Sequence, residues 1–313
     1  MRRVGEGKMI GMKNLFERLI KGLGTDTSKE VYRNGDFSKG DLCFDIVSLD
    51  DLTCRVIADT KEYSGTVEVP GWVEYNGRRL KIVDIGLAFH NNRMIAKLTI
   101  PESVMSLQRF ALAGCERLKS LVITDGEKCL RFEPDVLSNC NIETLYLGRD
   151  ISWNTEYMES PFSEKKSLRE VSIGAGVKSL NGFLFYRCKG LKKVRLSESI
   201  NHIHSSAFAK CENLETIRIP DSVTILSNNV FKGCTKLKSI TLGRSQQSIG
   251  KTIFDDCPSL ESITSLNHVP PHLDQDSISN KCFISATLYV PKGASAAYKS
   301  DNIWSKFWRI EEI

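Results

Sequence analysis

The chain has 313 residues, 41% of them hydrophobic, and a formal net charge of +5. That apolar content suits a folded protein, and the charge contains no long block of one sign, which excludes a nucleic-acid-binding tail. Ten cysteines without a C-x-x-C pair exclude a disulfide-dense scaffold, a zinc ribbon and a thioredoxin-type site.

The basic start Met1–Ile10 leads into no apolar stretch of signal-peptide length. Next, Leu15, Phe16, Leu19, Ile20 and Leu23 fall at helical spacing, which predicts a short amphipathic helix over 12–23 ending at Gly24. Residues 24–41 are polar and Gly-rich and read as a linker, so 1–41 is an N-terminal helix and linker. No apolar run is long enough for a membrane span. On these grounds a cytoplasmic chain is expected.

From Leu42 the pattern turns to strands. Leu42–Val47 and Leu52–Ile57 are β-rich runs around the turn residues Leu49-Asp50-Asp51. Thr66–Pro70 and Trp72–Tyr75 follow. Asn76-Gly77, a strong hairpin signal, then leads into a returning strand at Arg78–Val83. Residues 42–84 read as a β-rich N-terminal cap, because the first coil of a repeat array must be covered.

Residues 85–291 repeat. The skeleton A-F-x-x-C-x-x-L-x-x-I-x-I-P, clearest at Ala207–Pro220, has its Cys slot at Asn92, Cys115, Cys140, Lys165, Cys188, Cys211, Cys234, Cys257 and Cys282. The steps are 23, 25, 25, 23, 23, 23, 23 and 25 residues, the mark of a solenoid. Ile217 and Ile219 have strand period, so both point inward and Arg218 points out. Phe208 and Cys211 fill the opposite side of the coil, and Pro220-Asp221-Ser222 turns the chain. One coil cannot bury its own apolar edge; stacked coils do, and their strands align in a parallel sheet. The expected fold is α/β by convention but mostly β: a curved right-handed array of about nine coils. The slot cysteines read as small, buried, hydrophobe-like thiols rather than disulfides, because stacked side chains point the same way. In the C-terminal cap, 292–313, Ala294–Tyr298 reads as a helical turn, and Trp304, Phe307, Trp308 and Ile310 are expected to close the last coil.

The string Ala207-Phe208-x-x-Cys211-x-x-Leu214-x-x-Ile217-x-Ile219-Pro220 and its neighbours resemble the BspA-like (treponema-type) bacterial leucine-rich repeats. Tyr63–Pro70 looks like that family's entry segment. Leu288–Gly293, with Tyr298, Trp304, Phe307 and Ile310, looks like its closing segment. The likeness covers about residues 42–313. It implies a strand-lined curved solenoid, and a surface or secreted protein of a host-associated bacterium engaged in adhesion or host-protein binding. That location stands as the alternative to a cytoplasmic one.

Catalytic chemistry is not written in the chain. Gly174–Ser179 follows a strand but occupies the slot filled by Pro220–Val223 elsewhere, so it reads as a solenoid turn and not a phosphate loop. His202 and His204 lack further ligands in the local sequence and read as a surface pair. No cofactor, metal or catalytic residue is expected. What the motif leaves free is the outward face of the strands. One column runs Lys97, Ser120, Thr144, Glu170, Lys193, Thr216, Ser239, Ser262 and Thr287. The other runs Thr99, Val122, Tyr146, Ser172, Arg195, Arg218, Thr241, Thr264 and Tyr289. Lys193, Arg195 and Arg218 make a basic centre, and with Tyr146, Thr216, Thr241 and Tyr289 they are the expected contacts of a protein partner. The expected function is a monomeric, non-enzymatic scaffold that binds protein. The alternatives are an intracellular structural or self-associating repeat protein, or an accessory to an enzyme whose active group lies in 1–84.

Overall fold

The computed structural model describes residues 35–58, 63–154 and 160–313; the expected helix over 12–23 lies outside them. Within these residues the protein is a mostly-β parallel solenoid of about ten turns.

The array opens on an antiparallel set, Phe37–Lys39, Leu42–Ser48 and Thr53–Ile57. Phe37–Lys39, read from the sequence as linker, is a strand because Phe37 stacks on Phe44 and Tyr75, at centroid distances of 5.2 and 4.4 Å. The hairpin Trp72–Tyr75/Arg78–Ile85 forms as expected. Asn76 and Gly77 take φ of 48° and 71°, the positive values that a two-residue turn of matching twist demands. Two strands of the 42–84 region enter the solenoid itself. Gly65–Glu68 pairs in parallel with Ile95–Ile100, and Arg78–Ile85 pairs in parallel with Ser106–Leu107.

From there each coil contributes a front and a back strand. The front ladder runs Gly65–Glu68, Ile95–Ile100, Ser120–Ile123, Thr144–Arg149, Glu170–Gly176 and Lys193–Arg195. A second front ladder runs Thr216–Arg218, Ser239–Leu242, Ser262–Ser265, Thr287–Val290 and Arg309–Glu312. The back strands are shorter, as at His202–Ile203 and Ile225–Leu226. Leu214 and Ile219 are fully buried between the two layers, and the rings of Phe185, Phe208, Phe231 and Phe254 stack at 5.5, 5.9 and 6.2 Å.

The slot explains why cysteine recurs. The residue before it is left-handed in every coil from Asn91 to Asp256, with φ of 56–79°, which turns the slot side chain into the core. There it meets the carbonyl of the Phe position one coil back. Cys188, Cys211, Cys234 and Cys257 donate Sγ–H to the carbonyls of Phe162, Phe185, Phe208 and Phe231 at 3.0–3.2 Å. Cys115 and Cys140 do the same to Phe89 and Leu112. Lys165 keeps the bond with an ammonium instead, Nζ to the Leu137 carbonyl at 2.6 Å. All ten thiols are free, as expected, but these six are hydrogen-bond donors and not merely small hydrophobes. Burial pushes the Cys188 and Cys257 thiols up to about 12.

Three expectations need correction. Gly174–Gly176 is not a turn: the strand continues through it, with a register shift, to pair Gly176 with Arg149. The backbone N–H that a phosphate would need, at Ala175, is donated to Asp125 Oδ1 at 3.0 Å. Trp308 does not close the last coil; it is 75% exposed, while Trp304, Tyr298 and Phe307 are buried over the end of the core. Thr287, placed in the outward column, is buried beside the added strand Arg309–Glu312.

Candidate protein-binding face

The front strands hold the two outward columns in the register read from the sequence. Lys97, Ser120, Thr144, Glu170 and Lys193 are successive partners, as are Thr99, Val122, Tyr146, Ser172 and Arg195. Past the interruption Thr216 pairs with Ser239 and Ser262, and Arg218 with Thr241, Thr264 and Tyr289. Lys193, Arg195, Thr216 and Arg218 are exposed; Tyr146, Thr241 and Tyr289 are half-buried. All seven therefore lie on one face, but in two groups, because the ladder is interrupted between Lys193–Arg195 and Thr216–Arg218. Val194 and Leu196 are only half-buried at this break, whereas Ile217 and Ile219 beyond it are buried.

The basic centre is less bare than its sequence. Lys193 Nζ lies 3.0 Å from Glu170 Oε1, one coil back in the same column. The hydrogen bond from Lys193, then its charge and that of Arg195, holds the Glu170 carboxyl below the usual range. Arg218 reaches Asp221 at 3.3 Å and Glu198 at 4.0 Å, and Asp221 also takes Arg244 at 3.2 Å. Arg195 alone of the three has no carboxylate within 4.0 Å among the described residues. Such exposed pairs contribute little to stability and leave the cations accessible to a competing acid.

Tyr146 has a different task. Its hydroxyl donates to Asp125 Oδ2 at 2.7 Å, and that bond to a carboxylate is the main reason the phenol is pushed up to about 12. Asp125, just past the strand Ser120–Ile123, thus ties it to the next two strands through Tyr146 and Ala175. Beside it Arg149, fully buried, donates to the carbonyls of Pro101 and Glu102 at 2.9 and 2.8 Å. Sequence reasoning missed Asp125, Glu170 and Asp221 as partners. Only Glu170 was within reach, because it stands in the same column as Lys193.

The histidines lie on the back layer, away from this face. Their rings stack at 3.8 Å, and His202 Nε2 is 2.8 Å from Ser227 Oγ. Among the described residues no cluster of three or more metal-binding side chains occurs, and no helix is long and apolar enough to cross a membrane.

A family model described as a BspA type leucine rich repeat region matches residues 85–160 and 155–288, in six copies. No curated protein matches the sequence. Several solved structures are similar. A leucine-rich repeat protein of Bacteroides ovatus is 18% identical, with 88% of this chain and 79% of that chain covered and a TM-score of 0.40. A Treponema pallidum leucine-rich repeat protein is 19% identical over 72% of this chain and 91% of that one, with a TM-score of 0.44. A leucine-rich cell surface protein of Faecalibacterium prausnitzii is 16% identical over 88% and 94%, with a TM-score of 0.36.

Proposed function

This chain belongs to the BspA-type leucine-rich repeat family, a family of non-enzymatic scaffolds, and we propose that it binds a protein partner on its front face. The observation that supports this is the coincidence of the sheet break with the basic centre. Lys193, Arg195 and Arg218 flank the interruption, and Val194 and Leu196, half-buried there, pack inward against the core. A partner carboxylate meeting Arg195 displaces no internal pair, and one meeting Lys193 or Arg218 exchanges one exposed acid for another. Tyr289 and the hydroxyls of Thr216 and Thr241 extend the surface toward the C-terminal coils. An adhesive or host-protein-binding role rests on the family likeness alone.

The test is capture by the immobilised chain from fractionated bacterial envelope, cytosol and host-cell extract. The triple variant Lys193→Glu, Arg195→Glu, Arg218→Glu is expected to lose the retained protein with little change in melting temperature. Retention by the triple variant at the wild-type level contradicts the site.

A further inference from the structure

The flank that carries the turns into the front strands holds an open groove of about 970 Å³, reaching from the coil of Glu164 to that of Ser285. Its apolar lining comes from Phe254, Cys257, Pro258 and Cys282. At its middle Gly233 takes φ 74° and carries no side chain; a Cβ there would sit 3.1 Å from Lys210 Cγ. The Lys210 stem therefore lies against the glycine along the groove.

Charges on this flank otherwise pair from coil to coil. Lys119–Glu143, Arg187–Glu164, Lys189–Glu212 and Lys232–Asp255 close at 2.6–2.7 Å, and Lys238–Glu215 at 3.2 Å. Two of these pairs, Arg187–Glu164 and Lys189–Glu212, and the acid of a third, Asp255, lie along the groove itself. Lys166, Lys210 and Lys281 have no carboxylate within 4.0 Å among the described residues, against one such acid, Asp256. Lys210 instead faces the Tyr186 ring at 6.0 Å.

We propose that this groove binds an extended acidic peptide segment of a partner protein, its carboxylates directed to Lys166, Lys210 and Lys281. The five coil steps between the slots of Lys165 and Cys282 amount to roughly 24 Å at ~4.8 Å each, the reach of about seven extended residues. Three ammonium groups spread over that length match a chain of spaced acids, while of the lining hydroxyls Thr235 donates to the Glu212 carbonyl and Ser279 caps the helix Asn280–Ser285. None of these residues belongs to the outward columns of the front face, so this site and that one stand or fall separately.

The experiment is a fluorescence-anisotropy titration of the full chain with a fluorescein-labelled octapeptide alternating Glu and Ser, with a Lys–Ser octapeptide as control. The acidic peptide is expected to bind, more weakly as salt rises, and the basic one not. Lys210→Glu with Lys281→Glu should weaken binding at least about tenfold, as charge reversal at a complementary site does. Thr235→Trp, which fills the groove without changing charge, should weaken it too, while Arg195→Glu on the front face should not. Circular dichroism melting checks that each variant folds. Absence of binding at millimolar protein, equal binding of the basic peptide, or insensitivity to both groove changes overturns the proposal. So does a sulfated oligosaccharide that competes more strongly than unlabelled peptide, since it makes the groove a polyanion site.

Discussion

From Cys188 to Cys257 each coil is 23 residues long, its Phe ring stacks on the next and its thiol reaches back to a Phe carbonyl. From Cys115 to Lys165 the steps lengthen to 25, Leu112 and Leu137 take the Phe position, and Phe132 meets Phe162 edge-on at 68°. The longer coils are held by polar ties that the regular ones lack: buried Arg149 on the carbonyls of Pro101 and Glu102, and Asp125 between Tyr146 and Ala175. Regular coils close through an apolar column. In the region of the longer coils, side-chain hydrogen bonds reach backbone groups of the neighbouring coils, from Arg149 to Pro101 and Glu102 and from Ala175 to Asp125.

If that contrast is right, the largest loss comes from the regular half. Phe208→Ala opens a cavity between two stacked rings and should cost about 3–5 kcal/mol in urea denaturation. Arg149→Met should cost about 2 kcal/mol, because the Glu102 carbonyl loses its guanidinium donor and Pro101 keeps only the Val104 N–H, while the aliphatic volume is largely kept. A loss at Arg149 as large as that at Phe208 would erase the distinction.

Lys165 sharpens the comparison within one slot. Burial holds its amine below the ordinary lysine value of 10.5, so the protonated amine is disfavoured in the folded chain. Its contribution is therefore most favourable above 10.5 and is lost as pH falls through the depressed folded value. Lys165→Met removes that penalty and should stabilise by about 1 kcal/mol at pH 7, consistent with replacing a buried charge by a hydrophobe. The gain over wild type should shrink as pH rises toward 10.5, a trend that chemical denaturation across pH reads directly. The smallest change is expected at the face: Arg195→Glu should leave stability within about 0.5 kcal/mol, as for an exposed residue with no carboxylate within 4.0 Å among the described residues.

The regular half is almost fully legible in the amino-acid sequence. The alternation of Leu214, Ile217 and Ile219 sets which residues point inward, and the 23-residue step puts Lys193 beside Glu170 and Arg218 beside Thr241. What lies beyond reach depends on contacts at distances that periodicity does not encode. Tyr146 reads as a contact residue in its column, yet its hydroxyl is committed to Asp125, a turn residue 21 positions earlier. Gly174–Gly176 reads as a turn by its slot, yet a register shift keeps it in the strand. Nothing in the motif marks the break between Arg195 and Thr216, because both coils carry the full pattern of inward residues. Thr287 and Trp308 depart from expectation at the end of the array, where the added strand Arg309–Glu312 changes what is covered.

The central claim is that a protein partner meets the front face at this break. Photo-crosslinking tests it most directly, with a photoreactive phenylalanine analogue placed at exposed Thr216 on the front layer and, separately, at exposed Ile225 on the back layer of the same coil. The account predicts a covalent adduct from position 216 in the presence of the captured protein and none from position 225. An adduct from 225 with none from 216 would contradict it.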